Sequence, residues 1–159
     1  MKIKDIMTTN VIFCIPDDLV KDAARLMKEN KVSGIPVVEE GNVLGIITEN
    51  DILKLLEVPE TNSQLWLPSP FEIIEVPIRE LIGWEEAKHA LDNKGALSVG
   101  DIMSHPAITA RPDESLETVA SRMVKHKINR VPVVEDEKLV GIVSRQDIIG
   151  GLALHHSEE

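Results

Sequence analysis

Tyrosine is absent from this 159-residue chain, aromatic residues make up 3% of it, and cysteine occurs once, at Cys14. A single cysteine excludes an intrachain disulfide and any zinc site built on cysteine pairs. Cys14 lies in the apolar run Val11-Ile12-Phe13-Cys14-Ile15 without a basic neighbour, so it reads as a packing residue and not as a nucleophile. With so few aromatics, the core is left to Ile, Val, Leu and Met. Positive charge is also short: 17 basic residues face 27 acidic ones, a formal charge of −10. That balance repels nucleic acid and anionic membranes at long range. No apolar run approaches the roughly 20 residues of a membrane span. Met1-Lys2-Ile3-Lys4-Asp5 lacks the apolar region of a signal peptide, so a cytoplasmic location is expected, with no membrane and no nucleic-acid partner. A Walker loop, a Gly-x-Gly-x-x-Gly loop, a Ser/His/Asp set and a metal-ligand cluster are all missing, which argues against catalytic residues and a bound metal.

What is present is written twice. Sliding the chain on itself by 96 positions brings Asp5-Ile6-Met7 onto Asp101-Ile102-Met103 and Pro16-Asp17 onto Pro112-Asp113. The same shift brings Pro36-Val37-Val38-Glu39 onto Pro132-Val133-Val134-Glu135, and Gly45 onto Gly141. Residues 5–53 and 101–149 share 17 identities in 49 positions with no gap, a register that chance would not hold.

Each copy opens on an apolar stretch, Val11 to Ile15 or Ala107 to Thr109, predicted as a first strand. Helices are predicted over about 12 residues from Asp18, where Val20, Ala23, Ala24 and Met27 hold helical spacing, and from about Asp113 to Lys125. Hairpins follow, Ile35 to Val38 with Val43 to Ile47, and Val131 to Val134 with Leu139 to Val143. Gly45-Ile46-Ile47-Thr48-Glu49-Asn50-Asp51 and Gly141-Ile142-Val143-Ser144-Arg145-Gln146-Asp147 then lead into closing helices, Asp51 to Leu56 and Arg145 to about Leu154. Each copy therefore reads β-α-β-β-α, an α+β (α/β-type) unit too small to bury both faces of its sheet alone, so the two should pack on each other. The expected division is copy one at 1–57, an insertion at 58–98, copy two at 99–154 and a disordered tail at 155–159. His155-His156 in that tail lack a second ligand cluster.

The twofold Asp-Ile-Met opening, the Pro-Asp pair, the Ile-Pro-Val-Val or Val-Pro-Val-Val strand and the Gly-Ile-Ile-Thr-Glu-Asn-Asp ending resemble a tandem pair of CBS (cystathionine-β-synthase) domains. The resemblance covers both copies. It implies two CBS motifs packed about a pseudo-twofold axis and a non-catalytic regulatory role. It also implies clefts between the copies for an adenine nucleotide (AMP, ADP or ATP, with Mg²⁺ only beside ATP), or for S-adenosylmethionine. The implied partners are a second copy, as a homodimer through the CBS pairs, and a separate regulated protein. A protein-interaction module with vestigial clefts is the alternative, which Ser33-Gly34 in place of basic residues supports.

Thr48 with Asp51, and Ser144 with Asp147, have the spacing of a capping box, and a helix start so capped is also a place for an anion. The resemblance gives Asp51 and Asp147 the ribose hydroxyls, and Thr48 and Ser144 the phosphates. Before its Pro-Val strand copy two carries Lys127-Ile128-Asn129-Arg130 where copy one has Lys31-Val32-Ser33-Gly34. Arg130 is thus the expected phosphate ligand, beside Arg145, Asn129 and Lys127, with Lys125 and His126 as helpers. Residues 5–53 hold nine acids and four bases, whereas 101–149 hold eight and seven, which tilts phosphate binding toward copy two. The adenine is expected against Val11, Ile12, Ala107, Ile108, Ile35 and Val131, all of which also suit a plain core. Met27 and Met123 read as core. Which copy lends which group to a given cleft stays open at this point.

The insertion carries both tryptophans and Phe71, with a helix predicted across Ile78 to Leu91. Its aromatics are expected to anchor it on its own module or on a partner. Glu85 and His89 stand at i, i+4 there without further ligands.

Overall fold

The hairpins read from the sequence form in the computed structural model, which describes residues 1–55 and 96–155. Strand β1 (Gly34–Glu39) pairs antiparallel with β2 (Asn42–Thr48), and β3 (Arg130–Glu135) with β4 (Lys138–Ser144). Both two-residue turns, Glu40-Gly41 and Asp136-Glu137, have positive φ at each position, the primed geometry that follows the twist of the strands. The hairpins join through one bridge, Asn42 with Lys138, into a sheet of order β1-β2-β4-β3. Helices flank each hairpin: α1 (Val20–Asn30) and α2 (Glu49–Leu55) in copy one, then a short α3 (Val99–Ile102), α4 (Leu116–His126) and α5 (Arg145–His155). Helices α1 and α4 end alike, on Lys31 and Lys127 in the left-handed conformation, whose N–H groups return to carbonyls of the last turn.

Three expectations change. The stretches Val11 to Ile15 and Ala107 to Thr109 are not strands; each copy keeps a single parallel bridge, Cys14 with Val37 and Ala110 with Val133. Cys14 donates to the Pro36 carbonyl (3.0 Å) and accepts from Val38 (2.8 Å), but Pro36 has no N–H to extend the ladder toward Ile12; Pro132 limits copy two in the same way. Helices α1 and α4 begin at Val20 and Leu116, later than predicted, because the acid after each Pro-Asp closes a turn. Asp18 accepts the Ile15 N–H on its side chain (2.9 Å) and Glu114 accepts that of Arg111 (2.8 Å). Helix α5 runs through His155, one residue into the predicted tail. The expectations for the insertion up to residue 95, with its aromatic anchors, Glu85 and His89, and for residues 156–159 lie outside the described residues.

The cores explain why the landmarks recur. One holds Cys14, Ala23, Met27, Ile35, Val37 and Ile47 with Val99; the other holds Leu116, Val119, Met123, Val131, Val133 and Val143 with Ile3. Ile3 and Val99 are equivalent positions, so the leading segment of each copy packs in the core of the other. The backbone repeats the exchange: Ile3 N–H bonds the Glu114 carbonyl (3.0 Å) as Val99 N–H bonds that of Asp18 (2.7 Å). Thr8 pairs with Ile142, and Ser104 with Ile46, in both directions. Cys14 is 2% exposed and burial pushes its thiol up to about 12, the state of a packing residue.

Where the segments cross, Met7 lies on Gly141 and Met103 on Gly45. A Cβ on Gly45 would stand 2.7 Å from the Ser104 carbonyl oxygen and 2.8 Å from Met103 Sδ. One on Gly141 would stand 2.6 Å from Met7 Sδ and 3.1 Å from the Thr8 oxygen. The Asp-Ile-Met opening and the strand glycine are therefore two halves of one contact made twice. Gly45→Ala is expected to lower stability by about 1–3 kcal/mol through overpacking. Gly141→Ala should lower it by less, since its nearest obstacle is a flexible side chain. Urea unfolding measures both, and an unchanged midpoint for Gly45→Ala would refute the contact.

Candidate functional site

Two cavities lie between the copies. The larger, about 1020 Å³, sets Val11, Ile12 and Ile35 of copy one against Ser144, Arg145 and Asp147 of copy two. The smaller, about 370 Å³, sets Ala107 and Ile108 of copy two against Thr48 and Asp51 of copy one. In each cleft the apolar residues of one copy's leading stretch thus face the capping-box hydroxyl and carboxylate of the other. Asn129 and Arg130 line both, and Lys127 lines the smaller. Val131 lines neither: it is fully buried in the core of copy two, while its counterpart Ile35, preceded by Gly34, reaches the larger cavity. Lys125 and His126 are exposed on α4 and line neither cleft.

The strand-to-helix junctions are reciprocal capping boxes. The Thr48 N–H and hydroxyl donate to Asp51 Oδ2 (2.9 and 3.0 Å), and the Asp51 N–H donates back to Thr48 Oγ1 (3.3 Å). Ser144 and Asp147 repeat this at 2.7, 2.7 and 3.3 Å. Each box satisfies a helix N–H and fixes the carboxylate, which still has its Oδ1 to offer. The copies differ at that atom. Ser104 Oγ, from the leading segment of copy two, donates to Asp51 Oδ1 (2.9 Å), and Asp51 is 9% exposed. Asp147 is half-buried, and among the described residues nothing bonds its Oδ1.

Arg130 crosses the pseudo-twofold axis. Its Nη1 donates to the Gly34 carbonyl (3.0 Å) and its Nη2 to Ser33 Oγ (2.6 Å). Gly34 is the residue equivalent to Arg130, so the arginine stem runs beside a place that the glycine leaves free. Burial lowers its pKa below the usual arginine value, while Glu49 and Asp147 act in the opposite sense. Two donors on neutral acceptors leave the rest of the fork for an anion. Arg145, exposed at the start of α5, donates to Asn129 Oδ1 (3.0 Å). Lys28 and Lys31 add charge to the larger cleft, which also contains Glu49.

Lys28, Lys31, Glu49, Thr8 and Ser104 are cleft residues that the sequence reading passes over. A signal was available for the last two, because a hydroxyl residue follows each Asp-Ile-Met at equivalent positions. Among the described residues no group of three or more His, Cys, Asp or Glu side chains could hold a metal, and no helix is long and apolar enough to cross a membrane. Thr48→Ala and Ser144→Ala are each expected to lower stability by about 1 kcal/mol through loss of the cap. Urea denaturation would show it, and no loss in either variant would deny the boxes a structural role.

The profile of the CBS domain family matches residues 3–58 and 99–154. Protein MJ1426 of Methanocaldococcus jannaschii is 41% identical over 154 residues, covering 96% of this chain and 91% of that one. Among solved structures, protein MJ1225 from Methanocaldococcus jannaschii aligns with a TM-score of 0.71 at 28% identity over 95% of this chain and 47% of that one; this chain spans about half its length. The CBS domain pair of protein MJ0100, in complex with 5′-methylthioadenosine and S-adenosyl-L-methionine, aligns with a TM-score of 0.68 at 28% identity. That alignment covers 96% of this chain and 99% of the other.

Proposed function

Because this chain belongs to the CBS domain family, we propose that it is a non-catalytic, cytoplasmic regulatory module that binds an adenine nucleotide in the cleft of Asp147. In this reading it signals to a separate protein through the way its two copies pack. The observation that carries the reading is the composition of that cleft. Lys28, Lys31, Arg130 and Arg145 outnumber Glu49 and Asp147 there, opposite the apolar Val11, Ile12 and Ile35. A flat base suits the apolar wall, a ribose suits the free carboxylate oxygen of Asp147, and phosphates suit the cations. Mg²⁺ would enter only with ATP.

S-adenosylmethionine is the second reading, supported by the ligands of the MJ0100 pair. It shares the adenosine but brings a sulfonium, whose positive charge meets an excess of cations in this cleft. Calorimetric titration of the wild type and of Arg130→Met with AMP, ADP, ATP and S-adenosylmethionine separates the two. Methionine keeps an unbranched stem beside Gly34 and removes the charge. A nucleotide should bind the wild type and lose about tenfold or more in the variant, the loss of a charge-assisted hydrogen bond. Preferred binding of S-adenosylmethionine, indifferent to Arg130→Met, would favour the second reading. Binding of none of the four would overturn both.

A homodimer belongs to the same proposal. Val124 (80% exposed) and Ile149 (62% exposed) border an apolar groove of about 440 Å³ between α4 and α5. A second copy of this helix face would remove those side chains from water. Light scattering should give the mass of two chains for the wild type and of one for Val124→Glu; a monomeric wild type would refute the dimer.

A further inference from the structure

We infer that each chain holds a single nucleotide, in the cleft of Asp147, because the Ser104 hydroxyl occupies at Asp51 the place of a ribose hydroxyl. The inference rests on the adenine-nucleotide reading above. A carboxylate has about four lone-pair sites. Asp147 uses two, both on Oδ2, for the Ser144 N–H and hydroxyl. Its Oδ1 is left with the capacity to accept both donors of a ribose diol. Asp51 uses the same two for Thr48 and a third for Ser104 Oγ at 2.9 Å, so one site remains for two donors.

The backbone that carries the hydroxyl is held in place by the fold. Ser104 is tied to Ile46 by backbone hydrogen bonds in both directions (2.9 and 3.0 Å), at the point where the leading segment crosses Gly45. A ribose at Asp51 would have to displace a hydroxyl already seated on Oδ1 and carried by a tethered backbone, which weakens its net gain. Thr8, the equivalent residue, lines the larger cleft without a hydrogen bond to Asp147. Space points the same way: about 370 Å³ beside Asp51 against about 1020 Å³ beside Asp147. Pro106 borders the smaller cleft where its counterpart Asn10 borders the larger, so one further polar group is missing from the closed side.

Calorimetry with AMP, and with ATP in parallel, reads the stoichiometry. The wild type should bind one nucleotide per chain, and Asp147→Ala should weaken that binding by at least about tenfold. Ser104→Ala should raise the count to two, and the Ser104→Ala/Asp147→Ala double variant should bind one. Two nucleotides on the wild type, one retained at wild-type affinity by Asp147→Ala, or a count of one that persists in Ser104→Ala would each overturn the inference while leaving the nucleotide reading intact. Asp147→Ala decides the choice of cleft even if Ser104→Ala disturbs the leading segment. No binding of either nucleotide by any variant would sink the reading itself, and the inference with it.

Discussion

Two side chains cannot fill one place beside a twofold axis, and that limit shapes everything between the copies. Positions 34 and 130 are equivalent in the repeat and touch each other, since Arg130 donates to the Gly34 carbonyl. A Cβ on Gly34 would stand 3.3 Å from Arg130 Cδ and 3.1 Å from both Thr48 Cγ2 and the Ile47 oxygen. A second arginine would also set two cations in a volume where burial already disfavours the charge of one. The repeat can therefore be symmetric along its strands and helices, but not at its axis. One guanidinium serves both clefts, and the clefts are unequal as a consequence.

Around that axis the copies are held by exchange. Ile3 completes the core of copy two and Val99 that of copy one, so neither core closes without a segment contributed from the other half of the repeat. Each half alone would be small, with a low ratio of buried to exposed surface. Exchange turns two marginal cores into one cooperative unit, and it explains the economy of the sequence landmarks. The methionine of the opening motif and the glycine of the closing strand are kept in both copies because each needs the other across the interface. Their spacing in sequence says nothing of this; their contact in space does.

Much of the fold was legible because it is local and stated twice. Helical spacing placed α1, the repeat placed α4, and the apolar pairs around short polar turns placed both hairpins. The Thr48/Asp51 and Ser144/Asp147 spacings marked the capping boxes that are present at both helix starts. The misreadings have physical sources. Apolar runs before Pro16 and near Pro112 satisfy the pattern of a strand, yet the proline in the neighbouring strand withholds the donor that a longer ladder needs. Val131 and Ile35 are alike in sequence and both are core, and Ile35, preceded by Gly34 where Val131 is preceded by Arg130, also borders the larger cleft. The crossed composition of the clefts was illegible because it depends on contacts between residues far apart in the chain, which no local pattern encodes. For Ser104 the repeat marked the hydroxyl but not its role, since its partner is Asp51 on the other copy.

The crossed composition also makes the proposed regulatory role physically reasonable. A ligand can shift a conformational equilibrium only by the difference between its affinities for the two states. A cleft built wholly from one copy would keep its geometry as the copies moved, and its ligand would bind every arrangement equally. The larger cleft is not of that kind: Val11 and Ile12 come from copy one, Asp147 from copy two, and Arg130 reaches across the axis to Ser33 and Gly34. Any displacement of one copy against the other changes the distance between the apolar wall proposed for the base and the carboxylate proposed for the ribose. The exchanged segments bound that displacement, since Met7 and Met103 sit against glycines with no room to spare. Close-packed interfaces of this sort move between discrete arrangements rather than by continuous sliding. A ligand that bridges the copies would thus select among a few arrangements, and a partner that contacts both copies could read the choice.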